Sequence, residues 1–113
     1  MRQVLPNKKF ENLPCGMVAV GTAKYNEIIP FKGNMRPDGY ITLNDMNRYI
    51  RKNLYVKKRT DYRRGQRPTF GEMVFSCKAI VCVKGHYVYV DNDEYYSFFD
   101  NADDEVITIW QLR

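Results

Sequence analysis

Hydrophobic positions follow helical spacing in the first half of the chain and strand alternation in the last third. Residues 1–13 show no clear period and read as an extended lead-in around Pro6. Pro14 sits where a first helical position tolerates proline, because the missing N–H would be unpaired there in any case. Behind it Met17, Val18, Ala19, Val20 and Ala23 predict a central, almost wholly apolar helix over 14–25. Gly16 and Gly21 each oppose that helix by up to ~1 kcal/mol, which leaves a strand over 17–20 as the alternative. Pro30, Gly33, Pro37 and Gly39 mark residues 26–41 as loop. Leu43, Met46, Ile50 and Leu54 then recur at helical spacing behind Thr42, an N-cap residue with Asp45 three positions on, and predict a second helix.

Thr69-Phe70-Gly71-Glu72 repeats the capping pattern and predicts a short helix over 70–76. After it the pattern changes to alternation. The runs Lys78–Val83, His86–Asp91, Tyr95–Asp100 and Glu105–Leu112 are β-branched or aromatic and separated by turn residues, so they predict an antiparallel meander. The expected class is α+β, with N-terminal helices packed on a C-terminal antiparallel β-sheet in a single domain over 1–113.

Charge changes this picture, because it is unevenly spread. Nine of the 18 Lys and Arg residues lie between Arg48 and Arg67 against one acid, Asp61, with Tyr55 and Tyr62 interleaved. Seven of the 13 acids lie between Asp91 and Glu105, where they can oppose that segment within or between chains. Cations interleaved with aromatics can hold single-stranded nucleic acid by phosphate contact and base stacking. Arg59, Arg63, Arg64 and Arg67 are therefore candidate anion-binding residues, for nucleic acid or an acidic protein; the plain alternative is a solvated helix end and connector. The 14% aromatic content argues against disorder.

Three cysteines without a C-x-x-C spacing point to neither a disulfide framework nor a zinc site, so no metal or cofactor is expected. The amino terminus turns polar too early for a signal peptide, and no apolar run reaches the ~20 residues of a spanning helix. The expected location is cytoplasmic, without membrane contact, and a short chain of this kind would suit a phage.

Cys15 follows Pro14 at a predicted helix start, where a thiol pKa is lowered. Cys77 and Cys82 sit among apolar residues and read as inert. His86, the one histidine, opens a predicted strand and can reach another element. A third group must hold its imidazole in one tautomer, and Asp91, Asp100 and Asn101 lie downstream. Alternation turns Asp91 to the opposite face, whereas Asp100 ends the next strand and returns beside His86.

Leu13-Pro14-Cys15-Gly16 before an apolar helix, then Gly85-His86-Tyr87-Val88, then Asp100-Asn101, resembles the papain-like cysteine peptidase superfamily. The resemblance is nearest to its compact members, the bacteriocin-leader peptidases and cell-wall amidase-type peptidases. It implies a thiol hydrolase acting on a peptide, isopeptide or other amide bond. Cys15 would be nucleophile, His86 base and later acid, and Asp100 the orienting group, with Asn101 as the alternative. Family members commonly carry a glutamine about six residues before the cysteine for the oxyanion hole. That position is Lys9 here, so Asn12, or else Asn7 or Gln3, would have to supply the amide.

Overall fold

The computed structural model describes residues 1–113. Two tight hairpins build the centre of the sheet. Strand β3 (Lys78–Val83) turns through Lys84-Gly85 into β4 (His86–Asp91), which turns through Asn92-Asp93 into β5 (Glu94–Tyr96). Gly85 and Asn92 take positive φ values of 74° and 56°, a left-handed geometry that glycine and asparagine adopt in turns at low cost. Strand β6 (Val106–Leu112) pairs antiparallel with β3, on the side away from β4.

Two further strands come from earlier in the chain and make the sheet six-stranded and mixed, not a purely C-terminal antiparallel one. Strand β2 (Val56–Asp61) pairs antiparallel with β6, and β1 (Arg2–Val4) pairs parallel with β5, giving the order β1-β5-β4-β3-β6-β2. Both are edge strands. Lys57 and Lys58 of β2 are exposed, and so are Arg2 and Gln3 of β1, so neither strand buries enough side chain to show alternation. Main-chain pairing holds them, and lysines on an edge also discourage further strands from adding there. β1 is tied down by the Arg2–Glu94 ion pair and by Ser97 N–H donating to the Val4 carbonyl at 3.2 Å.

The helices are α1 (Cys15–Ala23) and α2 (Leu43–Asn53), which removes the strand alternative for residues 17–20. Thr42 does not cap α2 through its own side chain. Its hydroxyl instead donates to Asp45, whose carboxylate also takes the Asn34 N–H at 2.9 Å and Arg48 at 2.8 Å, fastening the preceding loop to the helix. The predicted helix over 70–76 is a single 3-10 turn, Phe70–Glu72. No helix is long and apolar enough to cross a membrane.

Alternate strand residues feed two apolar clusters. Ile80, Cys82, Tyr87, Tyr89, Trp110 and Leu112 share one cluster with Ala19 and Val20 of α1 and with Met46, Tyr49 and Ile50 of α2. Ala79, Val81, Val83, Val88, Val90 and Val106 share the other with Phe70, Phe75 and Tyr95. Tyr49 and Trp110 each pair a polar atom inside the first cluster, Tyr49 Oη donating to the Ile29 carbonyl and Trp110 Nε1 to Asn47 Oδ1 at 2.9 Å.

The two helix glycines are explained by close approach. A Cβ on Gly21 would lie 2.6 Å from the Glu27 carbonyl oxygen and 2.6 Å from Phe10 Cε1, while one on Gly16 would meet the tips of Ile41 and Met46 at 2.7 and 2.9 Å. A side-chain tip can move aside; a backbone carbonyl cannot without moving the turn. Gly21→Ala should therefore destabilise the fold by about 1–3 kcal/mol despite the gain in helix propensity. Gly16→Ala should cost less. Urea midpoints of the two variants check this, and the reverse order would contradict the packing.

Candidate active site

A cleft of about 380 Å³ opens where four segments meet: Leu13 to Val18 at the start of α1, Arg36 to Tyr40 of the loop before α2, Gly85 to Tyr87 at the β3–β4 turn, and Tyr96 to Phe99 leaving β5. Cys15 and His86 both line it. The loop wall is fixed by three contacts. Tyr40 stacks on Tyr87 with centroids 5.1 Å apart, Tyr87 Oη donates to the Ile41 carbonyl at 2.8 Å, and Arg36 lies over the Tyr40 ring while pairing with Asp38.

Cys15 is the first residue of α1, with Pro14 as its N-cap. Its sulfur meets the peptide unit between His86 and Tyr87: the Tyr87 N–H faces it, and so do the N–H groups of Gly16 and of Cys15 itself. Those donors favour thiolate, as a helix start should. Burial outweighs them and pushes the Cys15 thiol up, with the Asp38 carboxylate adding in the same direction. The expected low thiol pKa is thus corrected. The helix terminus is present, but the apolar cleft that makes the cysteine a candidate also penalises its charge. Cys82 is buried beside Tyr40, and burial pushes its thiol up to about 11.

His86 opens β4 in the phase of Val88 and Val90, opposite to Tyr87 and Tyr89. Its ring stands edge-on to Phe99, with centroids 5.6 Å apart, and its Nε2 lies 3.2 Å from Ser97 Oγ. Cys15 and His86 therefore share the cleft without a hydrogen bond between them. Burial pushes the His86 pKa down and the Asp104 carboxylate works against it, so the imidazole is neutral at neutral pH.

The residues around His86 differ from expectation. Asp100 does not reach the ring; it is exposed, and its Oδ1 accepts from Tyr95 Oη at 3.2 Å and from the Ala102 N–H at 3.0 Å. β5 ends at Tyr96, four residues short of the expected strand end at Asp100, so the segment beside His86 is Ser97 to Phe99. Asn101 is linked to the ring through Ser97, whose hydroxyl donates to Asn101 Oδ1 at 2.7 Å, and Asn101 Nδ2 donates to Asp104 at 2.8 Å. Ser97 and Asp104 went unnoticed in the sequence because a serine and one acid among seven carry no signal until the turn is known.

Asn12 is also displaced. It lies exposed in the turn before α1 with φ 67° and does not line the cleft. Asn7 caps the Lys9 N–H at 3.1 Å, and Gln3 donates to the Ser97 carbonyl at 3.1 Å. No side-chain amide lines the cleft, so the N–H groups of Cys15 and Gly16 are the donors available to an oxyanion. No three His, Cys, Asp or Glu side chains are grouped to hold a metal ion.

Of the candidate anion-binding arginines, Arg59 is committed to Asp61 at 3.1 Å and lies over the Trp110 ring. Arg67 is half-buried, with its Nε unpaired. Arg63 and Arg64 are exposed at the turn around Gly65. None of the four lines the cleft.

Because burial raises the Cys15 thiol, its alkylation by iodoacetamide should climb with pH along a curve displaced to the alkaline side of an ordinary cysteine. Peptide mapping by mass spectrometry separates it from Cys77 and Cys82. A rate already at its plateau at pH 7 would show a preformed thiolate and contradict the burial. Compared with protein-family models, with curated proteins and with solved structures, the chain finds no match.

Proposed function

We propose that the chain is a small thiol hydrolase of papain-like layout that cleaves a peptide, isopeptide or other amide bond through Cys15 and His86. The observation that carries this reading is the position of the Cys15 sulfur, at the first residue of α1 and against the His86–Tyr87 peptide unit, in a cleft that His86 also lines. The thiol and imidazole are both neutral at rest, so the proton moves as the sulfur attacks. Cys15 Sγ bonds to the carbonyl carbon while its proton passes to the imidazole. The C–N bond then breaks as the imidazolium protonates the leaving amine, and water releases the acid from the acyl-thioester. The N–H groups at the start of α1 would receive the developing oxyanion.

A peptidyl vinyl sulfone, which is attacked by a thiol and traps it covalently, tests this directly. Labelling should fall on Cys15, and His86→Ala should slow it by about 10²-fold or more. The base form of His86 is the active one, so the rate should drop as pH falls through a midpoint below the usual ~6.5, the direction set by burial. Equal labelling of Cys77, or an unchanged rate in the His86 variant, would defeat the proposal.

A second reading, a binding module, rests on a different surface. Tyr55 is 82% exposed at the start of β2, and Lys57, Lys58, Arg63 and Arg64 follow it without an acidic partner. Lys57 and Lys58 lie on the edge strand and Arg63 and Arg64 in the turn that follows it, a set of cations that could hold the phosphates of single-stranded nucleic acid. A gel shift with an oligonucleotide should weaken steeply with salt. Replacing Arg63 and Arg64 by alanine should lower the log–log salt slope by about 0.7 per lost phosphate contact. No shift at low salt would remove this reading.

A further inference from the structure

The side chains behind His86 form a directed chain. A carboxylate only accepts hydrogen bonds, so the 2.8 Å contact between Asn101 Nδ2 and Asp104 fixes the amide with its nitrogen toward Asp104 and its oxygen away. That oxygen accepts the Ser97 hydroxyl hydrogen at 2.7 Å. Ser97 has one such hydrogen, so its oxygen can only accept from its remaining neighbours, the Phe99 N–H at 3.0 Å and His86 Nε2 at 3.2 Å. Ser97 is 2% exposed and Asn101 4%, which leaves the chain no solvent to re-pair with if its direction changed. His86 Nε2 must then carry the proton, and Nδ1 of the neutral ring is bare.

We propose that Asp104 is the positioning residue of His86, acting through Asn101 and Ser97, and that its carboxylate sets the direction of the chain and with it the tautomer of the ring. This rests on the reading of His86 as the base for Cys15. Asp104 touches neither the imidazole nor the sulfur. Its leverage comes from being the one group in the chain that cannot donate. An amide and a hydroxyl can each face either way, and without a fixed acceptor at the end the chain could run in both directions, placing the proton on Nδ1 in part of the molecules. The main chain supports the same arrangement: Gln3 Nε2 donates to the Ser97 carbonyl at 3.1 Å and the Ser97 N–H donates to Val4 at 3.2 Å, so the serine cannot turn away.

The chain has a single histidine, so long-range proton–nitrogen spectra of the ¹⁵N-histidine-labelled full-length protein report one ring without assignment. In the wild type at a pH above the ring's midpoint, the proton is expected on Nε2. Asp104→Ala should bring Nδ1–H tautomer into view and slow vinyl sulfone labelling of Cys15 about tenfold or more, because only the other tautomer offers a base. Asp104→Asn keeps the shape but puts at the end of the chain an amide that can also donate, so it should likewise bring Nδ1–H tautomer into view and slow the labelling, while moving the titration midpoint down, the sign expected when a facing anion is removed. Ser97→Ala cuts the chain with Asp104 in place and should mix the tautomers as Asp104→Ala does; it serves if the latter fails to fold. A wild-type ring protonated on Nδ1, or a pure Nε2–H ring in both Asp104→Ala and Ser97→Ala, would overturn the proposal. If the tautomers respond as expected but His86→Ala leaves labelling unchanged, Asp104 still positions the ring and the hydrolase reading fails alone.

Discussion

Tyr87 is the constraint on which the cleft depends. Its ring is fully buried in the cluster shared with both helices and stacks on Tyr40, its hydroxyl satisfies the Ile41 carbonyl, and its main-chain N–H faces the Cys15 sulfur. One residue therefore sets the distances between α1, β4 and the loop that closes the cleft. The hydroxyl bond matters because Ile41 is itself wholly buried, and an unpaired carbonyl there would cost about 1–3 kcal/mol. Burial, and after it the neighbouring Tyr40 hydroxyl, push the phenol far above its ordinary range, so it stays a donor at neutral pH.

The same burial decides the resting state of the chemistry. A thiol pushed up and an imidazole pushed down do not share a proton spontaneously, so Cys15 and His86 wait as neutral groups. The charged residues near them, Asp38 at the rim and Asp104 behind the ring, both lie on the acidic side of the balance, and neither stabilises thiolate. Arg36 is the cation at the rim, and it is paired with Asp38. In the proposed reaction the barrier to attack would be lowered by the N–H donors at the start of α1 and by the orientation of the base, not by a stored ion pair.

Much of the fold is legible in the residues. Leu43, Met46 and Ile50 announce α2, the turns Lys84-Gly85 and Asn92-Asp93 announce two hairpins, and Cys15 does begin a helix. β1 and β2 are not legible, because edge strands held by main-chain bonds need no apolar alternation, and the lysines of β2 read equally well as a connector. The site was half legible. Cys15 and His86 stand out by residue type, whereas choosing Asp100 assumed that β5 runs on to residue 100. An aromatic run supplies strand propensity but cannot say where pairing stops.

Where it stops is what makes a site of this corner. The register that sets Asp91 opposite Glu94 and Tyr89 opposite Tyr96 would next put Phe98 opposite Tyr87, and a ladder continued that far would take the Tyr87 N–H for itself. The chain instead leaves after Tyr96, held at that point by β1 through the Val4 carbonyl and Gln3. Two consequences follow from the one departure. The Tyr87 N–H is left to face the Cys15 sulfur, and Ser97 turns inward beneath His86 with Asn101 and Asp104 behind it. The short parallel strand at the amino terminus, which adds little to the core, thus holds in place the serine through which the histidine is oriented.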